Sequence, residues 1–211
     1  MPIVWSSKIA DKGEIAIWEI SESNQTLLAM LQLSKSEIEN IEKLSPARKR
    51  QWLGSRVLLR TLLQTDQYIE INIDEHQKPF VKNSKYEISI SHSGDMAAVI
   101  VYENKKVGVD IEKITDRISK IKKRFLSEGE LSFISEKDEL VQLYVCWGVK
   151  ETLFKLYGKG ALPFIGGIKI DKFDYESATS VSAHIDIPSF QESYQISFLK
   201  HNEYILTWAI A

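Results

Sequence analysis

The stretch Val107–Lys113 constrains the chain more than any other, because it alternates aliphatic residues with a glycine and two acids. If it is a strand, side chains repeat with period two, so the aliphatic residues face a core and Gly108, Asp110 and Glu112 share the opposite face. Mg²⁺ takes one or two carboxylates and keeps places for water and substrate phosphate, and a glycine would let a phosphate come close. The stretch therefore predicts either a magnesium site or a half-buried strand with a solvated polar face.

Composition limits the classes of protein to consider. The 211 residues are 44% hydrophobic, enough for one large domain or two small fused lobes. The balance of 27 basic against 29 acidic residues gives a net charge of −2, which favours neither nucleic acid nor an anionic membrane as a partner. The single cysteine excludes an internal disulfide, and neither a secretory signal nor a membrane-spanning run is recognisable. The expected location is cytoplasmic.

Capping signals predict the helices of the first half of the chain, which follow two strands over residues 3–20. Ser34 and Glu37 have capping-box spacing and start a short helix. Ser45 followed by Pro46 starts a long helix that runs to about Leu63. Four arginines are spread around this helix, and they either face solvent or reach an anionic ligand. They are Arg48, Arg50, Arg56 and Arg60.

Strands and helices then alternate along the rest of the chain. Strand patterns run from Tyr68 to Val101, and residues 91–95 are predicted as the turn of a hairpin with His92 at its mouth. A basic helix, a helix capped at Ser127 and a long helix over about 138–157 follow the acidic strand. From residue 166 the chain returns to strands and ends in a hairpin.

A faint internal repeat indicates a duplication. Residues 52–60 resemble residues 147–155, and residues 86–90 resemble residues 194–198 in the same order. The predicted fold is α+β: a pseudo-dimer of two similar lobes, each a long helix packed on a small antiparallel sheet. The lobes are expected at 1–105 and 106–211, with the active site in the cleft between them.

The second long helix carries an acid and a base on one face. Trp147, Glu151 and Lys155 lie at successive i, i+4 spacings, so their side chains project from the same side. The simplest interpretation is an exposed ion pair that stabilises the helix by a few tenths of a kcal/mol.

Taken together, three motifs resemble the signature of the 4′-phosphopantetheinyl transferase superfamily. They are residues 91–93 (Ser-His-Ser), 107–112 (Val-Gly-Val-Asp-Ile-Glu) and 147–155 (Trp-Gly-Val-Lys-Glu-Thr-Leu-Phe-Lys). Residues 52–56 and 77–79 further resemble the larger, single-chain type that activates surfactin synthetase and similar enzymes. Two positions depart from the family pattern: Gln77 stands where glycine is usual, and Gly148 where a small hydroxyl or thiol residue is usual.

The resemblance implies a reaction and a set of residues for its metal. The family transfers the 4′-phosphopantetheine arm of coenzyme A to a serine of an apo acyl or peptidyl carrier protein and releases adenosine 3′,5′-bisphosphate. By resemblance, Asp110, Glu112 and Glu151 would hold Mg²⁺ against the pyrophosphate. Glu151, or a water that it orients, would take the serine proton.

The resemblance also implies how coenzyme A is held. Lys155 would lie by the phosphates, and Lys78, His92 and Arg50 would meet the nucleotide, including its 3′-phosphate. An imidazole binds phosphate best when protonated. Since the repeat puts both halves in one chain, a monomer is expected.

Two other functions are compatible with the residues. The same three carboxylates would serve a Mg²⁺-dependent phosphohydrolase or nuclease that activates water. Alternatively, the protein is a catalytically silent module that binds coenzyme A or carrier domains, with Gln77 and Gly148 as signs of decay. The intact charged positions argue against decay.

Overall fold

The structure, a computed structural model, describes residues 3–211 and divides into two units in chain order. The first ends at Val107 and the second is Gly108–Ala211. Both are mixed α/β with antiparallel strand pairs. Within residues 3–211, every helix is either too short or too polar to traverse a lipid bilayer.

From residue 3 onward, the first unit contains three α-helices and six strands, with one 3-10 turn at Ala10–Lys12. They are β1 (Ile3–Ile9), β2 (Gly13–Glu19), α1 (Asn24–Ala29), α2 (Lys35–Ile41), α3 (Pro46–Leu62), β3 (Ile71–Ile73), β4 (Pro79–Val81), β5 (Tyr86–Ser93) and β6 (Met96–Glu103). Strands β1-β2-β6-β5 form one sheet, and β3 and β4 pair separately.

The predicted capping signals start the first unit's helices. At α2, Ser34 and Glu37 form the complete capping box, and at α3 the Ser45 side chain accepts from the backbone of Arg48 with Pro46 at the first turn. Helix α3 packs its apolar face, including the fully buried Leu58, on the sheet. Local signals therefore predicted this helix within one residue at each end.

The hairpin at His92 corrects the predicted turn of residues 91–95. Strand β5 continues through Ser93, and His92 pairs with Ala97 of β6. The turn is only Gly94 and Asp95, with Gly94 in the left-handed region at φ 56°. A two-residue hairpin turn needs such a conformation, so the strand extends farther than the polar composition of the segment indicated.

The backbone conformation of Gln77 accounts for the glycine that the family usually has at this position. It lies in the turn before β4 with φ 69°, a left-handed conformation that only glycine adopts without strain. The strain of a side chain there costs about 1–2 kcal/mol. Asp74 supports the turn, because its Oδ1 accepts from the backbone N–H groups of His76 and Lys78 at 2.9 and 2.8 Å.

The second unit contains the acidic strand, the long helix and a five-stranded sheet in the order β7-β11-β10-β9-β8. Its elements are β7 (Val107–Lys113), α4 (Arg117–Ile121), α5 (Glu128–Leu131), α6 (Glu139–Tyr157), α7 (Phe164–Gly167, a kinked turn), β8 (Ile168–Ile170), β9 (Ser180–Ile187), β10 (Phe190–His201) and β11 (Tyr204–Ile210). The three aliphatic residues of β7 are fully buried, as the alternation predicted. Helix α6 packs on β11.

Gly108 serves close packing of β7 against α6. A Cβ built on Gly108 would lie 2.2 Å from the carbonyl oxygen of Thr152 and 3.1 Å from the Cβ of Leu156. Helix backbone thus occupies the space in which the sequence suggested that a phosphate approaches. That interpretation of the glycine was wrong, because the side of β7 that carries Gly108 is covered at this position by the helix.

Gly148 allows a similarly close contact on the same face of α6, where the helix packs on β11. A Cβ there would lie 2.7 Å from both Oγ1 and Cγ2 of Thr207 on β11. Thr207 is fully buried, and its hydroxyl bonds to that of Thr152 at 2.7 Å. The threonine of β11 therefore fills the space that a side chain at position 148 would need.

We expect Gly148→Ser to destabilise the protein by about 1–3 kcal/mol, since it overpacks a closed contact. Urea unfolding measures the loss. Gly129→Ser is the matched control: Gly129 lies in α5 with nothing within 4 Å of its Cβ position, so its change should stay within about 0.5 kcal/mol. If Gly148→Ser is as stable as Gly129→Ser, Thr207 is not the constraint.

Cys146, the chain's one cysteine, lies on the buried face of α6. Its side chain is fully buried, and this burial raises the pKa of the thiol far above its ordinary value. The thiolate is the reactive form of cysteine. Cys146 is therefore a structural residue in the folded protein.

Candidate active site

Strand β7 and helix α6 bring Asp110 and Lys155 together. Lys155 Nζ donates to Asp110 Oδ1 at 2.8 Å and to the carbonyl oxygen of Val109 at 3.0 Å. The Asp110 side chain is 5% exposed and that of Lys155 is 26% exposed. The acid of the strand and the base of the helix are thus one ion pair, which the sequence had treated as separate groups.

Glu151 lies one helical turn before Lys155 and is half-buried. Burial raises the pKa of Glu151 most, and the charge of Asp110 raises it further. Lys155 opposes these effects, Glu112 adds a smaller rise, and the pKa reaches about 7. Three carboxylates with one lysine therefore form a region in which negative charge is in excess.

Glu112 is half-buried and lies two residues after Asp110 on β7, so both project from the same face of the strand. Across residues 3–211, no three or more His, Cys, Asp or Glu side chains are grouped so that they could hold a metal ion. Asp110 and Glu112 offer two carboxylates from one strand. Mg²⁺ commonly takes one or two carboxylates from a protein, and water and phosphate complete its shell.

Lys150, next to Glu151, makes a buried ion pair that sequence reasoning missed. Its side chain has no exposed area, and Nζ donates to Glu130 Oε2 at 2.9 Å. It also donates to the carbonyl oxygens of Phe164 and Ile168 at 2.8 and 3.1 Å. All three donors of the ammonium are satisfied, so Lys150 fixes α6 to the turn that precedes β8.

Glu130 is equally well satisfied. One carboxylate oxygen accepts from the backbone of Ile170 at 3.0 Å, and the other accepts from the backbone of Ser127 in the predicted capping box. A signal for the buried lysine exists in the sequence. Lys150 follows Leu143 and Cys146 by seven and four residues, so it lies on the same apolar stripe of α6 as these two buried residues.

The residues predicted to hold the nucleotide belong to the first unit. Arg50 of α3 donates to Asp95 Oδ1 at 2.8 Å, and Gln51 donates to the carbonyl oxygen of Gly94 at 2.9 Å. These bonds attach α3 to the hairpin turn beside the exposed His92. Arg50 and His92 therefore lie at the same end of the hairpin.

Lys78 lies elsewhere in the first unit. Its Nζ is 3.7 Å from Glu87 Oε2, and burial lowers the pKa of Lys78 while Glu87 raises it. Glu87 precedes His92 by five residues on β5, a separation of about 17 Å along a strand. The structure groups Arg50 with His92 but does not group Lys78 with them.

Comparison with known proteins supports the family that the motifs indicated. The profile of the 4′-phosphopantetheinyl transferase superfamily matches residues 106–209, which include the four charged residues at β7 and α6. The chain is 33% identical over 130 residues to the 4′-phosphopantetheinyl transferase gsp of Aneurinibacillus migulanus, covering 58% of this chain and 54% of that one. It is 28% identical over 139 residues to the 4′-phosphopantetheinyl transferase Sfp of Bacillus subtilis (strain 168), covering 64% and 58%.

A third relative is matched over a larger share of its length. The 4′-phosphopantetheinyl transferase AcpT of Escherichia coli O157:H7 is 30% identical over 144 residues, covering 64% of this chain and 69% of the relative. The chain thus spans little more than half of the first two relatives and over two thirds of this one. On these matches, the chain belongs to the 4′-phosphopantetheinyl transferase superfamily.

Proposed function

We propose that the protein transfers the 4′-phosphopantetheine arm of coenzyme A to the hydroxyl of a serine on an apo acyl or peptidyl carrier protein. The serine oxygen forms a bond to the phosphorus of the arm, the pyrophosphate bond breaks, and adenosine 3′,5′-bisphosphate leaves. The observation that carries the proposal is the meeting of Asp110, Glu151 and Lys155 at β7 and α6 in a member of this superfamily. The larger, single-chain type is the subgroup that we infer.

The carboxylates suit a bound Mg²⁺. Burial raises the pKa of Glu151 most, and the negative charges of Asp110 and, to a smaller extent, Glu112 raise it further; a bound divalent cation would relieve that repulsion between carboxylates. Asp110 and Glu112 would hold the metal; the family resemblance adds Glu151 to the shell, although residues 3–211 contain no ready-made group of three such ligands. When bound, the metal supplies stabilisation of the charge that develops on the phosphates.

The remaining charged groups have roles in proton transfer and binding. Glu151, with a pKa near neutral pH, is suited to accept the serine proton. Lys155 holds Asp110 in place through its 2.8 Å bond. By family resemblance, it would also place a cation beside the phosphates. Asp110 is thereby oriented before any ligand binds, so little reorganisation is needed during the reaction.

Arg50 and His92 are assigned to the nucleotide end of coenzyme A, including its 3′-phosphate. Their common position at one end of the hairpin supports the assignment. Lys78 is assigned to the nucleotide on family resemblance alone, since it lies by Glu87.

We also propose that the two units are copies of one ancestral α+β unit. In each unit, a long helix precedes a hairpin, β5-β6 or β10-β11, and packs on the sheet that contains it.

Carrier modification is the direct test. We expect that incubation with coenzyme A, Mg²⁺ and a panel of apo carrier proteins adds one phosphopantetheine to a carrier serine, measured by intact mass. Excess chelator should abolish the transfer, and added Mg²⁺ should restore it, because the carboxylates alone give no positive charge. Undiminished transfer in chelator contradicts the metal role. Hydrolysis of coenzyme A or DNA without carrier modification supports a phosphohydrolase or nuclease, and binding without any reaction supports a silent module.

We expect His92→Ala to weaken the use of coenzyme A more than that of dephospho-coenzyme A, which lacks the 3′-phosphate. Loss of a contact made equally in the ground and transition states raises KM and leaves kcat nearly unchanged. Steady-state kinetics with both substrates measure the difference. Equal losses with the two substrates contradict the assignment of His92 to the 3′-phosphate.

A further inference from the structure

Arg56, near the middle of α3, is a cation for which the proposed reaction has no use. Its side chain is only partly exposed, and its Nε is buried with no hydrogen-bond acceptor among residues 3–211. The guanidinium lies over the ring of Trp52, 4.5 Å from the centroid, which covers one of its faces. Most buried polar atoms in native proteins have a partner, so this nitrogen requires an explanation.

The acid that influences Arg56 is already engaged. Glu37 Oε2 accepts from the backbone of Ser34 at 2.8 Å and from the hydroxyl of Tyr68 at 3.0 Å. Burial lowers the pKa of Arg56 to about 10, and the charge of Glu37 only partly opposes this change. Arg56 is therefore charged at neutral pH but poorly hydrated, a state that an additional negative charge would stabilise.

Arg56 lines a pocket of the first unit that is small and mostly apolar. The pocket lies between α3, the end of α1, the start of α2 and the strand β3. Glu37 and Arg56 line it together with Leu33, Leu59 and Ile71. The centre of a water molecule can move through about 20 Å³ of it.

The volume of the pocket limits the size of the ligand that it can bind. One water needs about 10–15 Å³ by the same measure, so the space suits a ligand of one to three heavy atoms. A nucleotide, a phosphopantetheine arm or a peptide is far too large. A guanidinium is a strong donor to carboxylates and other anions, and it is weakly hydrated, so it binds anions well when partly buried.

We propose that this pocket binds one small monovalent anion, a simple carboxylate or a halide, through the guanidinium of Arg56. The anion would accept from Nε and balance the charge that Glu37 does not neutralise. The small volume of the pocket and the apolar part of its lining disfavour larger, more hydrated anions. The site belongs to the first unit alone and is independent of the proposed transferase activity, so failure of either does not decide the other.

The test uses the full chain without coenzyme A. Sodium gluconate, whose anion is too large for the pocket, is replaced stepwise by sodium formate or sodium chloride at constant ionic strength. The N–H resonance of Arg56 Nε is followed by NMR, and thermal unfolding is followed in parallel. We expect a saturable shift of the resonance, and a rise in Tm of about 3–6 °C at ten times the Kd.

Matched variants of α3 assign the effect to Arg56. Arg56→Met should remove the dependence of Tm on formate and chloride. Arg48→Met, which alters an exposed arginine on the same helix, should keep it. If Arg56→Met does not fold, the resonance of the parent protein still decides the question.

Three outcomes would overturn the proposal. An Arg56 resonance that is unchanged by formate and chloride means that water alone satisfies Nε. A rise in Tm that is equal in the parent and in Arg56→Met places the anion effect elsewhere. Equal responses to gluconate and formate, seen when either is added to a dilute buffer, mean that the effect is general screening by salt.

Discussion

Glu112→Gln is expected to fold normally, to require more Mg²⁺ and to lose about a hundredfold in kcat/KM, equivalent to about 2.7 kcal/mol. The amide keeps the size of the side chain and one carbonyl oxygen but lacks the charge. At a hard-cation site, the lost charge weakens both metal binding and stabilisation of the transition state. Initial rates of carrier modification over a range of Mg²⁺ concentrations measure both effects.

Glu103→Gln on β6 is the control for this prediction. Glu103 forms an ion pair with Lys85 at 3.0 Å, and both side chains have exposed area, so the pair contributes about 0–1 kcal/mol. The variant should transfer the arm at the parental rate. If Glu112→Gln also shows the parental rate and Mg²⁺ dependence, Glu112 is not a metal ligand.

Lys150→Met is expected to lower the free energy of unfolding by about 3–5 kcal/mol. The methionine fills most of the volume of the lysine, but it leaves Glu130 buried without its cation. The carbonyl oxygens of Phe164 and Ile168 also lose a donor. Urea unfolding followed by circular dichroism measures the loss.

Two further variants separate the buried pair from a general effect of losing a lysine. Lys82→Met breaks an exposed pair with Glu70, in which the side chains are 50% and 43% exposed, and should cost at most about 1 kcal/mol. Adding Glu130→Gln to Lys150→Met removes the unpaired charge while an amide oxygen remains for Ile170. The double variant should lie closer to the parent than Lys150→Met does. A Lys150→Met protein of parental stability would contradict this account.

The sequence predicted helix starts well because their causes are local. Ser34 and Glu37, and likewise Ser127 and Glu130, carry the capping interaction within four residues, and both boxes are complete in the structure. The turn at His92 was mispredicted since its strand is extended by pairing with β6, a contact that the polar composition of the segment does not reveal.

The candidate site was predictable in its members but not in its contacts. Period-two alternation placed Asp110 and Glu112 on one face of a strand, and i, i+4 spacing placed Glu151 and Lys155 on one face of a helix. The bond between Lys155 and Asp110 joins residues 45 apart in the chain, so no local pattern determines it. The steric cause of Gly108 was missed for the same reason, because α6 supplies the contact.

The burial of Cys146 has a consequence for following the proposed reaction. Coenzyme A and a modified carrier each bear an accessible thiol, whereas this protein's one thiol is buried on the inner face of α6. A maleimide dye added under native conditions would therefore label the transferred arm on a carrier without cysteine. The band of this protein on a denaturing gel would remain unlabelled. The same dye, added at increasing urea concentrations, would label Cys146 only as the second unit unfolds. One reagent thus reports both the transfer reaction and unfolding.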